Sequence, residues 1–327
     1  MTDSVKSRDT SAGGFVDRSA RGRVNIGGPD RLKFLHNLTT NEVKKLGAGK
    51  GQESFVTSPQ GKTLGYVTLL ALEDRIVLRT AVEGLPPVLA HLRKYGVFDD
   101  VSIDDVSGST CEFHLFGDDL GESGQFLGIE SSGVGEYDHV ASQTFPGFLV
   151  VRESPTGLPG LTLIGPAESR DELMARMEKS GLARVDPDVF EALRIEAGTP
   201  EVGREVKPEN LPQELDRDDR AISFVKGCYL GQETVARLDA MGHVNKILRG
   251  GLVSGELPVA GTPLTLDGKP VGTVTSSAYS PRLGRGVLLA YVRTANASPG
   301  TLLTAESPTG GPAPTVEISA LPMNESR

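Results

Sequence analysis

The hydrophobic pattern of the last quarter of the chain constrains the fold most, because it has the period of strands throughout. From Lys246 onward, six short apolar runs alternate with turn residues, and none of them has a helical period. Asp267-Gly268 stands between two of the runs and is typical of a tight hairpin. Strands at this spacing predict a small barrel or sandwich at residues 246–327. The runs are ILRGGLV, TPLTL, PVGTVTSSAY, GVLLAYVRT, TLLTAES and TVEISAL.

The preceding region, residues 15–245, mixes helical and strand periods, which predicts an α+β unit with a largely antiparallel sheet. Three strands joined by tight turns are expected within residues 53–80. Two more strand candidates, CEFHLFG and GFLVVRE, follow later, and LTLIG leads into a helix. Helices are predicted where apolar residues line one face, at about 29–38, 85–95, 167–180 and 187–197, and from Gly231 onward.

Charge and composition exclude several classes of function. The 327 residues carry a net charge of −9, which argues against an extended nucleic-acid interface. No apolar stretch reaches the roughly 18–20 residues of a membrane helix. Residues 1–14 lack both a secretory apolar core and a transit-peptide composition, so we expect a disordered tail. Two cysteines far apart in sequence give no disulfide framework, so a reducing cytoplasm is the expected compartment.

No metal site is predicted. Cys111 and His114 lie three residues apart in a predicted strand, so their side chains point to opposite faces of the sheet. The histidines form no cluster in the sequence with each other or with the cysteines. They are His36, His91, His114, His139 and His243.

Glu196 is a candidate ligand-binding carboxylate. Asp186 and Pro187 begin a predicted helix and Gly198 ends it, which places Glu196 in the last turn. A carboxylate there faces the negative end of the helix dipole, an unfavourable position unless something uses the charge. The side chain is either a solvated surface glutamate or an acceptor for a ligand with adjacent N–H donors.

The octet KGCYLGQE, residues 226–233, contains one of the two cysteines. Cys228 lies just before a predicted helix and two residues from Lys226, and both features favour the reactive thiolate. Two glycines, Gly227 and Gly231, allow a sharp turn and the close approach of a partner. The alternative is a small buried apolar residue, the usual role of a lone cysteine.

The octet resembles the signature of the YgfZ-type folate-binding proteins, relatives of the glycine-cleavage T-protein, an aminomethyltransferase. The resemblance extends over most of the chain from about residue 15. GPDRLKFLHNLTTNEV is similar to the start of the T-protein fold, LRIEAGTPEVGRE to its central segment, and NLPQEL to the stretch between. T-proteins have the segment around the octet without its cysteine.

This resemblance implies an α+β body with antiparallel sheets and helices around a central pocket, followed by a C-terminal β-barrel. Within the body, residues 15–245, two subdomains are expected, and tetrahydrofolate is expected in the pocket. Glu196 matches the T-protein glutamate that holds the pteridine, and Tyr229, Gln232 and Glu233 are further candidate folate-binding residues. Cys228 and Lys226 are the candidates for the functional thiol and its activating cation.

The implied role is in assembling, inserting or repairing iron–sulfur clusters in client enzymes, including some that modify tRNA. T-proteins carry an aspartate pair that assists one-carbon transfer, and Gly65-Tyr66 replaces that pair here. Neither residue acts as a carboxylate base, which argues against aminomethyl transfer. The alternatives are a folate-dependent aminomethyltransferase or methyltransferase with another catalytic group, and a scaffold without a ligand.

These interpretations make three predictions about the structure. Glu196 and residues 226–233 should line one central, partly apolar cavity. The Asp267-Gly268 turn should be exposed on a closed or nearly closed barrel. Cys228 should be accessible, near the start of a helix and within reach of Lys226.

Overall fold

The computed structural model describes residues 13–118, 121–128, 135–242, 244–307 and 309–323. Nearly all of the expected disordered tail, and His243, therefore lie outside the described residues. Within them, the chain forms two five-stranded antiparallel sheets and a closed six-stranded barrel, with helices packed between. The predicted α+β class is confirmed. No helix in these ranges is long and apolar enough to span a membrane.

Strands and helices are numbered separately, each in chain order. The strands are β1 Gly14–Asp17, β2 Gly22–Gly27, β3 Gly51–Thr57, β4 Thr63–Ala71, β5 Arg75–Thr80, β6 Ser102–Asp105, β7 Thr110–Phe116, β8 His139–Ala141, β9 Leu149–Arg152, β10 Gly160–Pro166, β11 Lys246–Ser254, β12 Pro263–Leu266, β13 Lys269–Ser280, β14 Arg285–Arg293, β15 Leu302–Ala305 and β16 Thr315–Ser319. The helices are α1 Arg31–Leu38, α2 Leu85–Tyr95, α3 Gly121–Leu127, α4 Arg170–Lys179, α5 Pro187–Ala197, α6 Asp218–Ala221 and α7 Gln232–Met241.

The first sheet has the strand order β3-β4-β5-β2-β6, so the predicted meander forms three of its five strands. Its core is a cluster of aliphatic side chains that α1 and α2 cover, including Ile26, Leu35 and Leu69. Helix α1 begins at Arg31, and Pro29 lies just before it, not in its first turn as expected.

The second sheet has the order β1-β7-β10-β9-β8, with α4 packed on one face. Cys111 and Phe113 point into that core, whereas His114 points to the other face, where its ring stacks on Phe116. The prediction that Cys111 and His114 diverge is confirmed. The face opposite the core is directed toward the centre of the molecule and carries charged side chains.

The barrel closes in the order β11-β14-β13-β12-β15-β16, and each of the six predicted runs contributes one strand. Asp267 and Gly268 both have positive φ angles, 49° and 74°, as the tightest hairpin turn requires, and both are exposed. The barrel and the exposed turn are therefore confirmed.

A third core joins the barrel to the first sheet. Ile195 of α5, Tyr229 of the octet and Phe55 of β3 pack in one cluster with Leu248 and Tyr291 of the barrel. Helix α5 also contacts β13 and β14 directly. This packing brings segments that are distant in sequence around one central space.

Candidate functional site

Helix α5 begins and ends as its sequence predicts. The Asp186 carboxylate accepts a hydrogen bond from the backbone N–H of Asp188 at 2.9 Å, and Gly198 ends the helix with φ 72°. A left-handed residue at this position favours glycine. Glu196 therefore lies in the last turn, as expected.

The Glu196 carboxylate is buried, with 2% of the residue exposed. Its Oε2 accepts a hydrogen bond from Arg282 Nε at 2.6 Å, whereas its Oε1 is buried without a hydrogen-bond partner. A buried acceptor without a partner costs about 1–3 kcal/mol, so an N–H donor would gain there. The side chain lines a cavity of about 120 Å³, beside Leu158 and Met323.

A second concave site lies at the centre of the molecule, and half of the residues that line it are charged. Its free volume is only about 40 Å³, because these side chains fill it. The inward positions of several strands carry these charges, whereas the wall of the Glu196 pocket is partly apolar, with Leu158, Leu193 and Met323 in it. The charged lining residues are Arg18, Arg21, Glu53, Arg79, Glu153, Arg194, Glu201, Arg217 and Arg220.

Tyr66 of β4 lines this central cavity. Arg217 Nε donates to Tyr66 Oη and to Glu53 Oε2, both at 3.2 Å. Burial raises the pKa of Tyr66 well above its ordinary value. Tyr66 is therefore a neutral phenol in the cavity wall and supplies no base near neutral pH.

Glu53 is a carboxylate of the cavity that sequence reasoning missed. Tyr137 Oη donates to its Oε1 at 2.5 Å, and Arg217 Nη2 lies 2.5 Å from the same oxygen. Burial alone would raise the pKa of Glu53, but the opposing charges of Arg217 and Arg220 outweigh it and lower the pKa. The group is held ionised and fully paired, which makes it a poor proton acceptor.

A buried ion network forms the floor of the cavity. Arg79 donates to both oxygens of Glu112 and both oxygens of Glu153, at 2.7–3.1 Å. Burial would raise the pKa of Glu153, but Arg79 outweighs it and holds the pKa far below its usual range. Thr162 also donates to Glu153 at 2.5 Å. Because Arg79 belongs to the first sheet and Glu112 to the second, their ion pair joins the two sheets.

A groove connects the central cavity with the Glu196 pocket. The groove shares Ser154 and Thr199 with the central cavity, and Gly157 and Ala197 with the pocket of Glu196. The three spaces therefore adjoin one another along the end of α5. The outer wall of the groove is acidic, with Glu136, Asp216, Asp218 and Asp219 beside Arg217 and Arg220.

Lys226 of the octet points into the protein. Its Nζ donates to the carbonyl oxygens of His36, Thr39 and Asn41 at 2.6–2.7 Å, which caps the carboxyl end of α1. Burial lowers the pKa of Lys226 to about 7, while the three acceptors match the three protons of the ammonium form. The geometry gives Lys226 a structural role in holding the octet on α1.

Cys228 is exposed, as expected, and lies four positions before the first residue of α7. Lys226 and Tyr229 on either side of it are buried, with the ammonium 4.7 Å from the centre of the tyrosine ring. Gly231 has φ 85°, and a Cβ there would lie 2.4 Å from Ser58 O. The loop is therefore rigidly attached and presents the thiol outward.

We predicted that Glu196 and residues 226–233 line one cavity. None of the cavities described above is lined by both. Glu196 is drawn to Arg282 on the barrel side, whereas Lys226 and Tyr229 are anchored beside α1 and β3. Gln232 and Glu233 begin α7 and line none of these cavities, Gln232 being partly buried and Glu233 exposed. The folate-binding assignment of Tyr229, Gln232 and Glu233 stays a prediction.

Arg217, Tyr137 and Arg282 were also missed by sequence reasoning. These three residues lie outside the strands and helices, where no periodic pattern marks them. For Glu53, Arg79 and Glu112 a signal was available, because a charge stands in each strand at a position that should be apolar. No group of three or more metal-ligating side chains occurs in the described ranges.

Comparison with known proteins gives two family matches. The family model described as the GCVT N-terminal domain matches residues 6–224, and the glycine cleavage T-protein C-terminal barrel domain matches residues 248–323. A candidate chloroplastic transferase of Arabidopsis thaliana is 29% identical over 88% of this chain and 67% of its own length. An aminomethyltransferase of Streptomyces avermitilis is 28% identical over 95% of this chain and 86% of its own. The crystal structure of the glycine cleavage system aminomethyltransferase T from Bartonella henselae superimposes with a TM-score of 0.87 at 20% identity, covering 97% of this chain and 88% of that one.

Proposed function

The chain belongs to the glycine cleavage T-protein family, and on that premise we propose that it binds tetrahydrofolate as a YgfZ-type accessory protein of iron–sulfur enzymes. The observation that carries the folate assignment is Glu196, a buried carboxylate with one oxygen lacking a partner. A pteridine presents an amino group beside a ring N–H, and either can donate to that oxygen. The second oxygen is engaged by Arg282, so a grip through both oxygens requires Arg282 to move.

The same geometry argues against aminomethyl transfer. At the position of the T-protein aspartate pair stand Gly65 and Tyr66, and the neighbouring carboxylate, Glu53, is ionised and paired with Arg217. A general base must be free to accept a proton near neutral pH. Neither Tyr66 nor Glu53 can therefore serve as the general base of a transferase. Aminomethyl transfer stays the alternative function, because relatives of this chain are named aminomethyltransferase.

Cys228 is the proposed functional thiol. It is exposed on a loop that Lys226 fixes to α1, so a partner protein can reach the sulfur without unfolding anything. One thiol is too few to hold a cluster, since iron–sulfur clusters usually take four protein ligands. Contact with a cluster is therefore transient or shared with a client, and cytoplasmic iron–sulfur enzymes, including tRNA-modifying ones, are the proposed clients.

A folate titration tests the first half of the proposal. Tetrahydrofolate is titrated by calorimetry into the wild-type protein and Glu196→Gln, with Glu73→Gln at an exposed turn as the matched control. A hydrogen bond to a charged group is worth about 1.5–3 kcal/mol, so the affinity of Glu196→Gln should fall about 10- to 100-fold. Equal affinities of the wild type and Glu196→Gln would contradict the assignment.

The second half is tested with Cys228→Ala and a transfer assay on an aminomethylated lipoyl carrier. The variant should bind tetrahydrofolate like the wild type and keep its stability, while client iron–sulfur enzymes in cells lose activity. Catalytic transfer by the wild-type protein would support the transferase alternative. Full activity of client enzymes in cells with Cys228→Ala would show that the function does not need the thiol.

A further inference from the structure

The turn between β13 and β14 brings Arg282 of the barrel to the end of α5. Strand β13 ends at Ser280 and β14 begins at Arg285. The backbone N–H of Leu283 donates to Ser280 Oγ at 2.9 Å, and Gly284 has φ 62°, which favours glycine. These local features fix the backbone of the turn without the guanidinium of Arg282. The side chain can therefore change its position while the turn stays in place.

The guanidinium of Arg282 contacts one oxygen of the buried Glu196 carboxylate. Its Nε donates to Oε2 at 2.6 Å, and its Nη2 lies 2.6 Å from the same oxygen. Nη2 also donates to Met323 O at 3.2 Å. A guanidinium can bind both oxygens of a carboxylate through two parallel hydrogen bonds, but here Oε1 has no hydrogen-bond partner among the described residues. The ion pair therefore leaves one oxygen of the carboxylate unused.

The two partners differ in their access to water. The Glu196 side chain is 3% exposed, whereas that of Arg282 is 30% exposed. An arginine that leaves the pair regains water, but the carboxylate left behind needs another donor, because an unpaired buried charge is costly. Among the described residues that line the pocket, Arg282 is the only other charged side chain. The replacement donor must therefore come from a ligand.

A pteridine edge carries the same arrangement of donors as Arg282. Its amino group and the neighbouring ring N–H form an N–C–N unit with two N–H donors side by side, as the planar guanidinium does. A ligand of this kind that bonds both oxygens of Glu196 must take the place of the guanidinium at Oε2. The internal donor and the ligand therefore exclude each other.

We propose that Arg282 is an internal competitor of the ligand at Glu196 and thereby sets the affinity of the site. In the free protein the guanidinium holds the carboxylate, and it moves into solvent when a neutral N–C–N donor edge binds. The inference rests on the proposed function, because it takes the class of ligand from the folate assignment. A site that is open in only a fraction of the molecules binds its ligand more weakly by that fraction. If the pair holds Glu196 in about nine of ten molecules, the affinity falls about tenfold.

The experiment measures tetrahydrofolate binding by calorimetry in variants of this turn. Arg282→Met nearly keeps the length of the side chain and removes its donors, so this variant should bind tetrahydrofolate about tenfold more tightly than the wild type. Arg282→Lys keeps the charge without the planar pair of donors, and its affinity should lie between the two. Arg285→Met is the matched control, since Arg285 directly follows the turn, its Nη2 lies 3.4 Å from Ser254 Oγ, and it does not line the pocket. Its affinity should equal that of the wild type.

A second ligand tests whether the gain arises at the donor edge. The 2-desamino analogue of tetrahydrofolate lacks the amino group and presents a single N–H there, so it cannot replace both donors of the guanidinium. Its affinity should rise less than about twofold in Arg282→Met. A tenfold gain for both ligands overturns the proposal, because it shows that the substitution only widens the pocket.

Two further results with tetrahydrofolate overturn the proposal. One is an unchanged affinity of Arg282→Met, and the other is a lower affinity, which would make Arg282 part of the binding site. Damage to the fold lowers affinity, so a gain does not arise from misfolding, and binding by Arg282→Met alone supports the proposal. If Arg282→Met does not fold, Arg282→Lys decides in the same way, by a gain or by its absence.

Methylguanidinium separates failure of this inference from failure of the proposed function. If neither the wild type nor Arg282→Met binds tetrahydrofolate, the folate proposal fails, and the site is judged by thermal unfolding of Arg282→Ala, which leaves space beside Glu196. Millimolar methylguanidinium should raise the melting temperature of Arg282→Ala, but not that of the wild type or of Arg282→Ala combined with Glu196→Gln. That result supports Arg282 as the occupant of a site for N–C–N donors. The same response in all three proteins, or no response in any, overturns it.

Discussion

Asp218 is an ionised side chain that the fold keeps in an unfavourable place. It is the first residue of α6, on the acidic wall of the groove, and its Oδ1 is buried without a hydrogen-bond partner. Burial, followed by repulsion from Asp216, Asp219 and Asp239, raises its pKa from 3.8 to about 6. Replacing Asp218 with asparagine removes the charge and nearly keeps the shape.

The expected gain follows from the two pKa values. A difference of about 2.2 units corresponds to about 3 kcal/mol at neutral pH. Because the side chain is partly exposed, solvent screening reduces this to about 1–2 kcal/mol. The folded state binds more protons than the unfolded state between pH 3.8 and about 6, so wild-type stability falls as the pH rises through that window. Above it the full penalty is present.

Chemical denaturation at several pH values measures this effect. Asp218→Asn should be more stable than the wild type by about 1–2 kcal/mol at pH 7.5, by about half of that near pH 5, and by nothing below about pH 4. The control is Glu73→Gln, at an exposed carboxylate that is not among the groups raising the pKa of Asp218, and its replacement should change stability by less than about 0.5 kcal/mol. Equal stability at pH 7.5, or a gain that does not shrink on acidification, would refute the charge argument.

Three further predictions concern stability and are checked by the same denaturation assay. Lys226→Met removes the donor to three carbonyls at the end of α1 and should cost about 3 kcal/mol, and a change below about 1 kcal/mol would show that water replaces the ammonium. Arg79→Met leaves Glu112 and Glu153 buried without their partner and should lower stability by about 3–5 kcal/mol. Adding Glu153→Gln to that variant should restore part of the lost stability, and no restoration would contradict the pairing. Gly231→Ala places a Cβ 2.4 Å from a backbone oxygen at positive φ and should cost about 1–3 kcal/mol, whereas a neutral effect would mean that the loop relaxes freely.

The sequence by itself determined the elements and the barrel. Six strand-period runs separated by turn residues predicted a small barrel or sandwich, and they form a closed barrel. Asp186 and Gly198 define the ends of α5 for local reasons, a side-chain cap and a left-handed residue, which need no tertiary contact. The accessibility of Cys228 was left open by the sequence, which allowed a reactive thiol before a helix or a small buried residue, and the structure shows it exposed.

The tertiary structure alone decided where the functional side chains point. Glu196 was predicted correctly in the last turn of α5, but its direction depends on Arg282, which lies 86 residues away in the chain. Lys226 was interpreted as the activator of Cys228, yet its ammonium meets three carbonyls at the end of α1, about 190 positions earlier. Local patterns cannot specify such partners, because they carry no information on which distant segments meet.

The charged centre of the molecule has the same origin. Glu53, Arg79 and Glu112 each violate the apolar pattern of a buried strand when considered alone. Their burial is tolerable because Arg79 pairs with Glu112 across the two sheets and Glu53 pairs with Arg217, which precedes α6. Charge balance is a property of the assembled cavity. The sequence does not show which arginines will meet a carboxylate and which will not. Local sequence therefore determined the helices and strands, and long-range packing determined which charged side chains meet in the central cavity.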